Sequence, residues 1–268
     1  MVDEEGHAEE KDPDVDPVLK ELAARNKVVL AGNPCCPGCG CLLGLKLALQ
    51  SLDGYALVLS QGCIGLLPNF QPRVPMVRLG MNAAGVATGL ARSLPAPILV
   101  YAGDGMTRMH FQTVAACAER NERMLYLCYN NLGYCNAGSN FVSSFASSLN
   151  AHYAATASIA NVEDYVRKLR KAAQMTGFRF LEVLCPCPAS SGFDASNTIE
   201  VARVAVESGF WPLYEVQNRR IEVTYKPSRL ETIDRFFSMQ QHFVAMKPKE
   251  KETIKNWVAG NWKMLRWV

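Results

Sequence analysis

Cysteine residues in this chain are spaced like the ligands of a metal ion or an iron–sulfur cluster. Cys36 and Cys39 form a C-x-x-C pair within a Gly- and Pro-rich turn. Cys63 follows in Gln61-Gly62-Cys63, and Cys187 lies far downstream between two prolines. Two thiols in one turn with two distant soft ligands suit structural zinc and a 4Fe–4S cluster about equally. Zinc sites usually pair two short knuckles, whereas two of these cysteines come singly from separate loops, which favours the cluster.

Neighbouring cysteines leave the ligand assignment open within each pair. Cys35, Cys41 and Cys185 each lie within two residues of a proposed ligand and are alternative ligands. Cys117 and Cys128 fall in apolar patterns, which is typical of thiols that pack in a core. The sequence has ten cysteines, of which four are the proposed ligands and Cys117 and Cys128 are predicted core thiols.

A second group of residues has the chemistry of a metal-bound diphosphate site. Asp104 follows an apolar run between two glycines, Gly103 and Gly105, which allow a phosphate to approach the backbone. The next apolar run ends at Asn130-Asn131. A carboxylate and an amide oxygen from neighbouring strand ends are ligands that Mg²⁺ shares with phosphates. Gly-Asp-Gly alone is usually a plain turn, but this combination predicts a Mg²⁺–diphosphate site that includes Asp104 and Asn131.

Short apolar runs alternate with helical patterns through the middle of the chain. Runs without a polar face are typical of strands buried on both sides of a parallel sheet. The alternation predicts an α/β fold with a doubly wound, mostly parallel sheet, helices on both faces, and ligands at the carboxyl ends of the strands. The predicted strands are Leu57–Ser60, Ile98–Ala102, Met124–Tyr129 and Phe178–Leu184, and the predicted helices are Leu42–Leu52, Asn82–Ser93, Phe111–Arg120 and Val162–Met175.

The two ends of the chain differ from the middle. Residues 1–26 begin with eight acidic residues among the first sixteen, so we expect an acidic arm that cannot fold alone. Residues 27–226 form the predicted α/β domain. Residues 227–268 are a predicted C-terminal helical extension of two amphipathic helices, with a Trp- and Lys-rich tail. Its apolar stripe either packs on the chain's own core or docks against a second subunit.

Composition excludes several classes of protein. The chain has 268 residues with 49% hydrophobic and 20% charged, which suits a globular protein with a sizeable core. A net charge of +3 gives no electrostatic case for nucleic acid or membrane binding. We expect neither a membrane span nor a signal peptide. Ten cysteines without secretory context point to a reducing compartment, the cytoplasm.

These residues resemble one known family, the thiamine-diphosphate-binding β subunits of 2-oxoacid:ferredoxin oxidoreductases, particularly the pyruvate synthase (pyruvate:ferredoxin oxidoreductase) type. The resemblance extends from about Pro34 to Lys226. Its markers are Cys36–Gly40, Gln61-Gly62-Cys63, Asn82-Ala83-Ala84, Gly103–Gly105, Ala118–Asn121, Cys128–Asn131, Tyr134–Gly138, Pro186-Cys187-Pro188 and Trp211–Tyr214. It implies the thiamine-diphosphate-binding fold for the central domain.

The resemblance also implies roles for individual residues. Cys36, Cys39, Cys63 and Cys187 match the ligands of the 4Fe–4S cluster nearest to thiamine diphosphate. Asp104, Asn131 and the backbone carbonyl of Gly133 match the Mg²⁺ ligands, and Gly62, Cys63, Gly103 and Gly105 match residues around the cofactor. Asn136 matches a polar residue beside the reacting carbon. The implied reaction is oxidative decarboxylation of a 2-oxo acid, with electrons passing to the cluster and then to ferredoxin.

Partners follow from the same resemblance. No acidic residue in the matched region is placed to activate thiamine diphosphate, and the family implies that an α subunit supplies this glutamate. Further γ and δ subunits, ferredoxin and coenzyme A are implied as partners. The chain departs from the family pattern after Asn136-Ala137-Gly138, where the following segment is short and apolar.

The substrate is the least determined part of the interpretation. A pyruvate-like acid is expected, since residues 139–149 offer no cation for a second carboxylate. Branched-chain or aromatic 2-oxo acids, 2-oxoglutarate and oxalate are the alternatives. Two other classes of protein are alternatives. A zinc-stabilised binding module would give Asp104 and Asn131 no role. A thiamine-dependent decarboxylase without redox chemistry would give the cysteines no role.

Overall fold

The computed structural model of the chain describes residues 17–24, 34–66, 75–78, 81–133, 141–142 and 151–264. These residues build a sheet of eight strands in the order β2-β1-β3-β4-β6-β5-β7-β8. The first six strands are mutually parallel, and β7 and β8 add an antiparallel edge. The strands are β1 (Ala56–Leu59), β2 (Met76–Arg78), β3 (Ile98–Gly103), β4 (Met124–Asn130), β5 (Tyr153–Ser158), β6 (Phe178–Leu184), β7 (Leu213–Gln217) and β8 (Arg220–Tyr225).

Helices cover both faces of this sheet. Within the described residues they are α1 (Pro17–Ala24), α2 (Gly40–Ser51), α3 (Ala83–Ser93), α4 (Asp104–Met109), α5 (Phe111–Glu119), α6 (Val162–Ala173), α7 (Pro188–Ser191), α8 (Thr198–Glu207), α9 (Ile233–Ser238), α10 (Gln241–Val244) and α11 (Pro248–Met264). None of them is both long and apolar enough to span a membrane.

Alternation along the central strands divides the core into two layers. In β4, Leu125, Leu127 and Tyr129 pack in the layer beneath α2, α6 and α8, whereas Met124, Tyr126 and Cys128 pack in the layer beneath α3 and α5. Every residue of β1, β3, β4 and β6 is buried. Burial on both faces explains why these strands are mostly apolar, with Arg179 and Glu182 of β6 as buried charged exceptions. The predicted α/β fold class is confirmed.

Strand β5 was not predicted from the sequence. Its residues, Tyr153-Ala-Ala-Thr-Ala-Ser, are all buried, although most of the side chains are small and have low strand preference. The strand is fixed by its neighbours, since it pairs in parallel with β6 and in antiparallel fashion with β7. Tertiary pairing here outweighs local propensity.

The C-terminal extension contains three helices, α9 to α11, rather than the two that the sequence predicted. They pack on the chain's own core through a group of aromatic rings. Phe236 and Phe243 are fully buried, and the Phe236 ring centroid lies 4.6 Å from that of Phe210. Trp262 donates a hydrogen bond from Nε1 to the Gly209 carbonyl at 3.0 Å. The extension is therefore held by apolar burial against residues of the α/β domain.

The substitution Phe236→Ala is expected to lower the free energy of unfolding by about 3–5 kcal/mol, because it leaves a cavity among packed rings. Denaturant-induced unfolding of the purified protein measures this change. Val244→Ala on the adjacent helix is the matched control, since Val244 is 57% exposed, and it is expected to change stability by no more than about 0.5 kcal/mol. Equal small effects of the two substitutions would contradict the packing described for Phe236.

Candidate functional site

A cleft of about 370 Å³ opens at the carboxyl edge of the parallel strands. Loops that follow β1, β3, β4 and β6 meet there, together with the turn that precedes α2. This is the place where parallel α/β sheets bind ligands, because consecutive connections leave the edge in opposite directions. The cleft brings together all of the predicted site residues that the structure describes: Cys36, Cys39, Gly62, Cys63, Gly103, Asp104, Gly105, Asn131, Gly133 and Cys187.

Close backbone packing places the Cys36–Cys39 turn beside the loop that carries Cys187. A Cβ atom on Gly40 would lie 2.6 Å from the Pro186 carbonyl oxygen, so only glycine allows α2 to begin this near the loop. Gly38 has φ +67°, and a Cβ atom there would meet the Ala195 carbonyl oxygen at 2.3 Å. Both glycines are therefore required for the two cysteine loops to share one cleft.

The thiols in this cleft interact with one another. A hydrogen bond with Cys41 is the main reason that the pKa of the Cys39 thiol falls to about 6. The Cys39 sulfur also accepts the Leu42 backbone N–H at 3.4 Å, as the N-cap of α2. Burial, with the charges of Cys39 and Cys63, raises the pKa of Cys35 to about 12. The pKa of Cys41 is raised by its hydrogen bond with Cys39 and by burial, and also by the charges of Cys185 and Cys187. Thiols from three separate loops are thus close enough to influence one another's ionisation.

Exposure separates the predicted cluster ligands from most of their neighbours. Cys36 and Cys63 are exposed, and Cys39 and Cys187 are half-buried. Cys41 and Cys185 are buried, and Cys117 and Cys128 lie in the core as the sequence predicted. In the part of the chain that the structure describes, no three His, Cys, Asp or Glu side chains converge closely enough to hold a metal ion by themselves. The soft donor set of four accessible thiols in one cleft nevertheless fits an iron–sulfur cluster.

The carboxylate side of the cleft is built where β3 and β4 end. Gly103 and Tyr129 are partners in the parallel register, so Asp104 and Asn131 leave adjacent strands at nearly the same level. Asp104 is 3% exposed and begins α4. Asn131 Oδ1 accepts a hydrogen bond from the Gly133 backbone N–H at 2.9 Å. This bond closes a tight turn that brings Asn131 and Gly133 close together. One carboxylate with amide and carbonyl oxygens is a donor set that fits Mg²⁺.

Glu182 fixes this turn from within the sheet, and the sequence analysis missed it. It is fully buried on β6 and accepts hydrogen bonds from Asn130 Nδ2 at 2.8 Å and from the Phe141 backbone N–H at 3.1 Å. Asn130 in turn accepts the Leu132 backbone N–H through Oδ1 at 3.0 Å. Burial raises the pKa of Glu182 to about 8. An acidic residue inside the apolar run Phe178–Leu184 was the available signal, since a buried carboxyl group needs partners.

Leu132 holds a backbone conformation that favours glycine, with φ +61°. A branched side chain in this region is strained, and such strain persists only where the surroundings fix it. The bond from Leu132 to Asn130, which Glu182 orients, supplies that constraint. The turn that carries Asn131 and Gly133 is therefore held by bonds within the chain itself.

The ring of Tyr129 lies between the two sides of the cleft. Its hydroxyl oxygen is 2.8 Å from the position that a Cβ atom would take on Gly62, and 3.1 Å from the corresponding position on Gly103. Tyr129 is 5% exposed, and its ring centroid lies 4.9 Å from that of Tyr101. Burial, together with the nearby thiols of Cys41 and Cys63, raises the pKa of the phenol well above its usual value.

One predicted site residue lies outside the described residues. Asn136 belongs to residues 134–140, between Gly133 and Phe141, and its role as the polar group beside the reacting carbon stays a prediction.

Comparison with known proteins identifies relatives of this chain. The family model for the C-terminal TPP binding domain of thiamine pyrophosphate enzymes matches residues 79–183. Pyruvate synthase subunit PorB of Methanothermobacter thermautotrophicus is 31% identical over 85% of this chain and 93% of its own length. Ketoisovalerate oxidoreductase subunit VorB of Pyrococcus furiosus is 28% identical over 88% of this chain and 91% of its own length.

A solved structure supports the fold. The 2-oxoglutarate:ferredoxin oxidoreductase from Magnetococcus marinus aligns with a TM-score of 0.53 at 18% identity, over 85% of this chain and 92% of that chain. At that identity the likeness concerns the fold alone, whereas the PorB match extends over nearly the whole length of both proteins. The chain therefore belongs to the family of thiamine-diphosphate-binding subunits of the 2-oxoacid:ferredoxin oxidoreductases.

Proposed function

We propose that this chain holds thiamine diphosphate, Mg²⁺ and a 4Fe–4S cluster, as the β subunit of an enzyme that oxidatively decarboxylates a pyruvate-like 2-oxo acid and reduces ferredoxin. One observation carries the proposal: accessible thiols from three loops and the Asp104–Asn131 pair line the same cleft. Neither a zinc-stabilised binding module nor a non-redox decarboxylase uses both groups. Thiamine diphosphate supplies the carbon–carbon bond cleavage, and a cluster accepts electrons one at a time.

The residues of this chain bind and orient these groups. Asp104 provides the one carboxylate for Mg²⁺, while Asn131 and the Gly133 carbonyl provide neutral oxygens. Gly103 and Gly105 leave room for the diphosphate to approach the backbone. Hydrogen bonds that involve Asn130, Asn131 and Glu182 hold the turn that carries these ligands.

The cluster ligands in this proposal are Cys36, Cys39, Cys63 and Cys187. Cys41 and Cys185 are buried, which argues against them as ligands, although Cys41 also lines the cleft. Cys35 lines the cleft and is only half-buried, so it is the neighbour best placed to substitute. The hydrogen bond from Cys41 lowers the pKa of Cys39 to about 6, which favours the thiolate, the form that binds iron. Thiolate ligation of this kind suits the reducing cytoplasm.

Partners complete the site in this proposal. The cleft contains no glutamate among its described lining residues, so an α subunit supplies the carboxylate that activates thiamine diphosphate. Ferredoxin receives the electrons, coenzyme A is a candidate acceptor of the acyl group, and γ and δ subunits are further members of the complex. Residues 27–226 form the cofactor-binding unit, with 1–26 as an arm and 227–268 as the extension.

Charge in the cleft favours a substrate with one carboxylate. Among the described residues, its lining contains no Lys or Arg. Arg108 lies outside this lining, with its guanidinium carbon 4.7 Å from the centroid of the Phe141 ring. A second substrate carboxylate would need a charge-assisted bond, and the described lining offers no cation to make it. Pyruvate and branched-chain or aromatic relatives therefore rank above 2-oxoglutarate and oxalate.

The complex purified without oxygen is expected to reduce ferredoxin with pyruvate or a branched-chain 2-oxo acid, at a higher kcat/KM than with 2-oxoglutarate. Steady-state assays with thiamine diphosphate, Mg²⁺ and coenzyme A measure this ranking. A preference for 2-oxoglutarate would refute the substrate ranking, and absence of ferredoxin reduction with every 2-oxo acid would refute the proposed function. Full activity of this chain without an α subunit would refute the proposed partner.

Cys63→Ala is expected to reduce the iron content of the complex, because a 4Fe–4S cluster left with three thiolates becomes labile. Iron and sulfide analysis with reduced-state EPR measures the loss. Cys117→Ala removes a buried core thiol and is the matched control, for which iron content should not change. Identical iron content and EPR spectra in both variants would show that Cys63 is not a ligand.

Glu182→Gln is expected to weaken thiamine diphosphate binding about tenfold at fixed Mg²⁺, since residues behind metal ligands typically contribute 10–100-fold to affinity. The amide replaces one accepting oxygen with a donor and disturbs the bonds to Asn130 and Phe141. Titration calorimetry measures the affinity for thiamine diphosphate. Asp104→Ala removes the proposed metal carboxylate and is expected to lower this affinity more than Glu182→Gln does.

The control for Glu182 is Glu215→Gln, which changes another buried glutamate on the sheet. Glu215 is 3% exposed and pairs with Tyr153 and Lys171, away from the cleft. The Glu215→Gln variant is expected to be less stable but to keep its affinity for thiamine diphosphate. Equal affinities in the two variants would show that Glu182 has only a structural role.

A further inference from the structure

Tyr129 occupies a position that the proposed function leaves without a role. It is the one residue of β4 whose side chain reaches both the Gly62–Cys63 loop and the Gly103–Asp104 loop. No hydrogen bond joins its hydroxyl group to any of the residues that the structure describes, whereas the neighbouring Tyr101 donates to the Cys41 carbonyl at 2.6 Å. A phenol that is buried in a cleft wall with its hydroxyl group unused is suited to a ligand.

Packing determines where this hydroxyl group points. The Tyr101 ring supports the Tyr129 ring from one side, at a centroid separation of 4.9 Å. On the other side the hydroxyl oxygen lies against the backbone of Gly62, which has φ +142° and precedes Cys63 directly. At Gly103 the ring approaches through its edge instead, with Cε2, Cζ and the hydroxyl oxygen all 3.1 Å from the position of a Cβ atom. The hydroxyl group is therefore directed toward the thiol side of the cleft.

We propose that the Tyr129 hydroxyl group donates a hydrogen bond to the Cys63 sulfur when a cluster is bound, and so raises the reduction potential of that cluster. This inference rests on the proposed function. Reduction adds negative charge to the cluster, and a donor to a ligating sulfur stabilises the reduced form more than the oxidised form. The same residue would thereby favour electron flow from the thiamine side of the cleft to the thiol side.

The test compares Tyr129→Phe with the unaltered complex, because this substitution removes the hydroxyl group and keeps the ring. An EPR-monitored redox titration is made on the signal that disappears in Cys63→Ala. We expect the equilibrium constant for reduction to fall about tenfold, which corresponds to a potential ~59 mV more negative for one electron. Thiamine diphosphate affinity should be unchanged.

Tyr126→Phe is the matched control, since Tyr126 lies on the same strand but on the opposite face. Its hydroxyl group is paired with Thr107 at 3.1 Å within the core. This variant should keep the potential of the unaltered complex. Proton ENDOR of the reduced cluster in H₂O and D₂O adds a direct readout, in which one exchangeable coupling is lost in Tyr129→Phe and retained in Tyr126→Phe.

The outcomes separate this inference from the function on which it rests. An unchanged or more positive potential in Tyr129→Phe overturns the inference while leaving the cluster assignment intact. Weaker thiamine diphosphate binding with an unchanged potential would assign the hydroxyl group to that cofactor instead, and also overturns it. Absence of any Cys63-dependent EPR signal refutes the cluster assignment itself, and the inference with it.

Discussion

The parallel pairing of β3, β4 and β6 is the constraint on which the rest of the site depends. Because the three strands are paired in parallel, their carboxyl ends deliver Asp104, Asn131 and Cys187 to one edge of the sheet. The pairing continues past the strands, since the Cys185 backbone N–H donates to the Asn130 carbonyl at 2.8 Å. The loop that carries the Cys187 thiol and the loop that carries the oxygen ligand Asn131 therefore extend from neighbouring paired strands. A shift of one residue in this register would send alternate side chains to the wrong layer and separate the two groups.

Polar groups inside the sheet support the loops at its edge. Glu182 is the clearest example, because one buried carboxyl group bonds to Asn130 before the turn and to Phe141 after the 134–140 segment. A buried carboxyl group is costly unless it is bonded, so its presence here is explained by the order that it imposes on the turn. The same hydrogen bonds also stabilise the strained backbone of Leu132, because a left-handed backbone conformation at this residue is stable only while these bonds persist.

Residues that act through local chemistry were predictable from the sequence, whereas residues that act through tertiary contacts were not. Gly103-Asp104-Gly105 and the C-x-x-C pair are short patterns whose chemistry can be recognised, and the central strands are apolar enough to be identified. Strand β5 was not predicted because Ala and Ser have low strand preference, and its pairing with neighbouring strands defines it. The roles of Glu182 and Tyr129 were not predicted from the sequence, because they depend on which residues from other parts of the chain surround these side chains. The ligand roles of the individual cysteines and of Asn136 stay predictions.

The position of the Tyr129 ring restricts how the sequence around the cleft can vary. Gly62 and Gly103 belong to different loops, yet both face the same ring, which a Cβ atom would approach to 2.8 Å at Gly62 and 3.1 Å at Gly103. Every change away from glycine adds this Cβ atom, so the ring must shift or be replaced before either position can vary. Substitutions at Gly62, Gly103 and Tyr129 are therefore expected to depend on one another, and the order in which they occur matters as much as their identity.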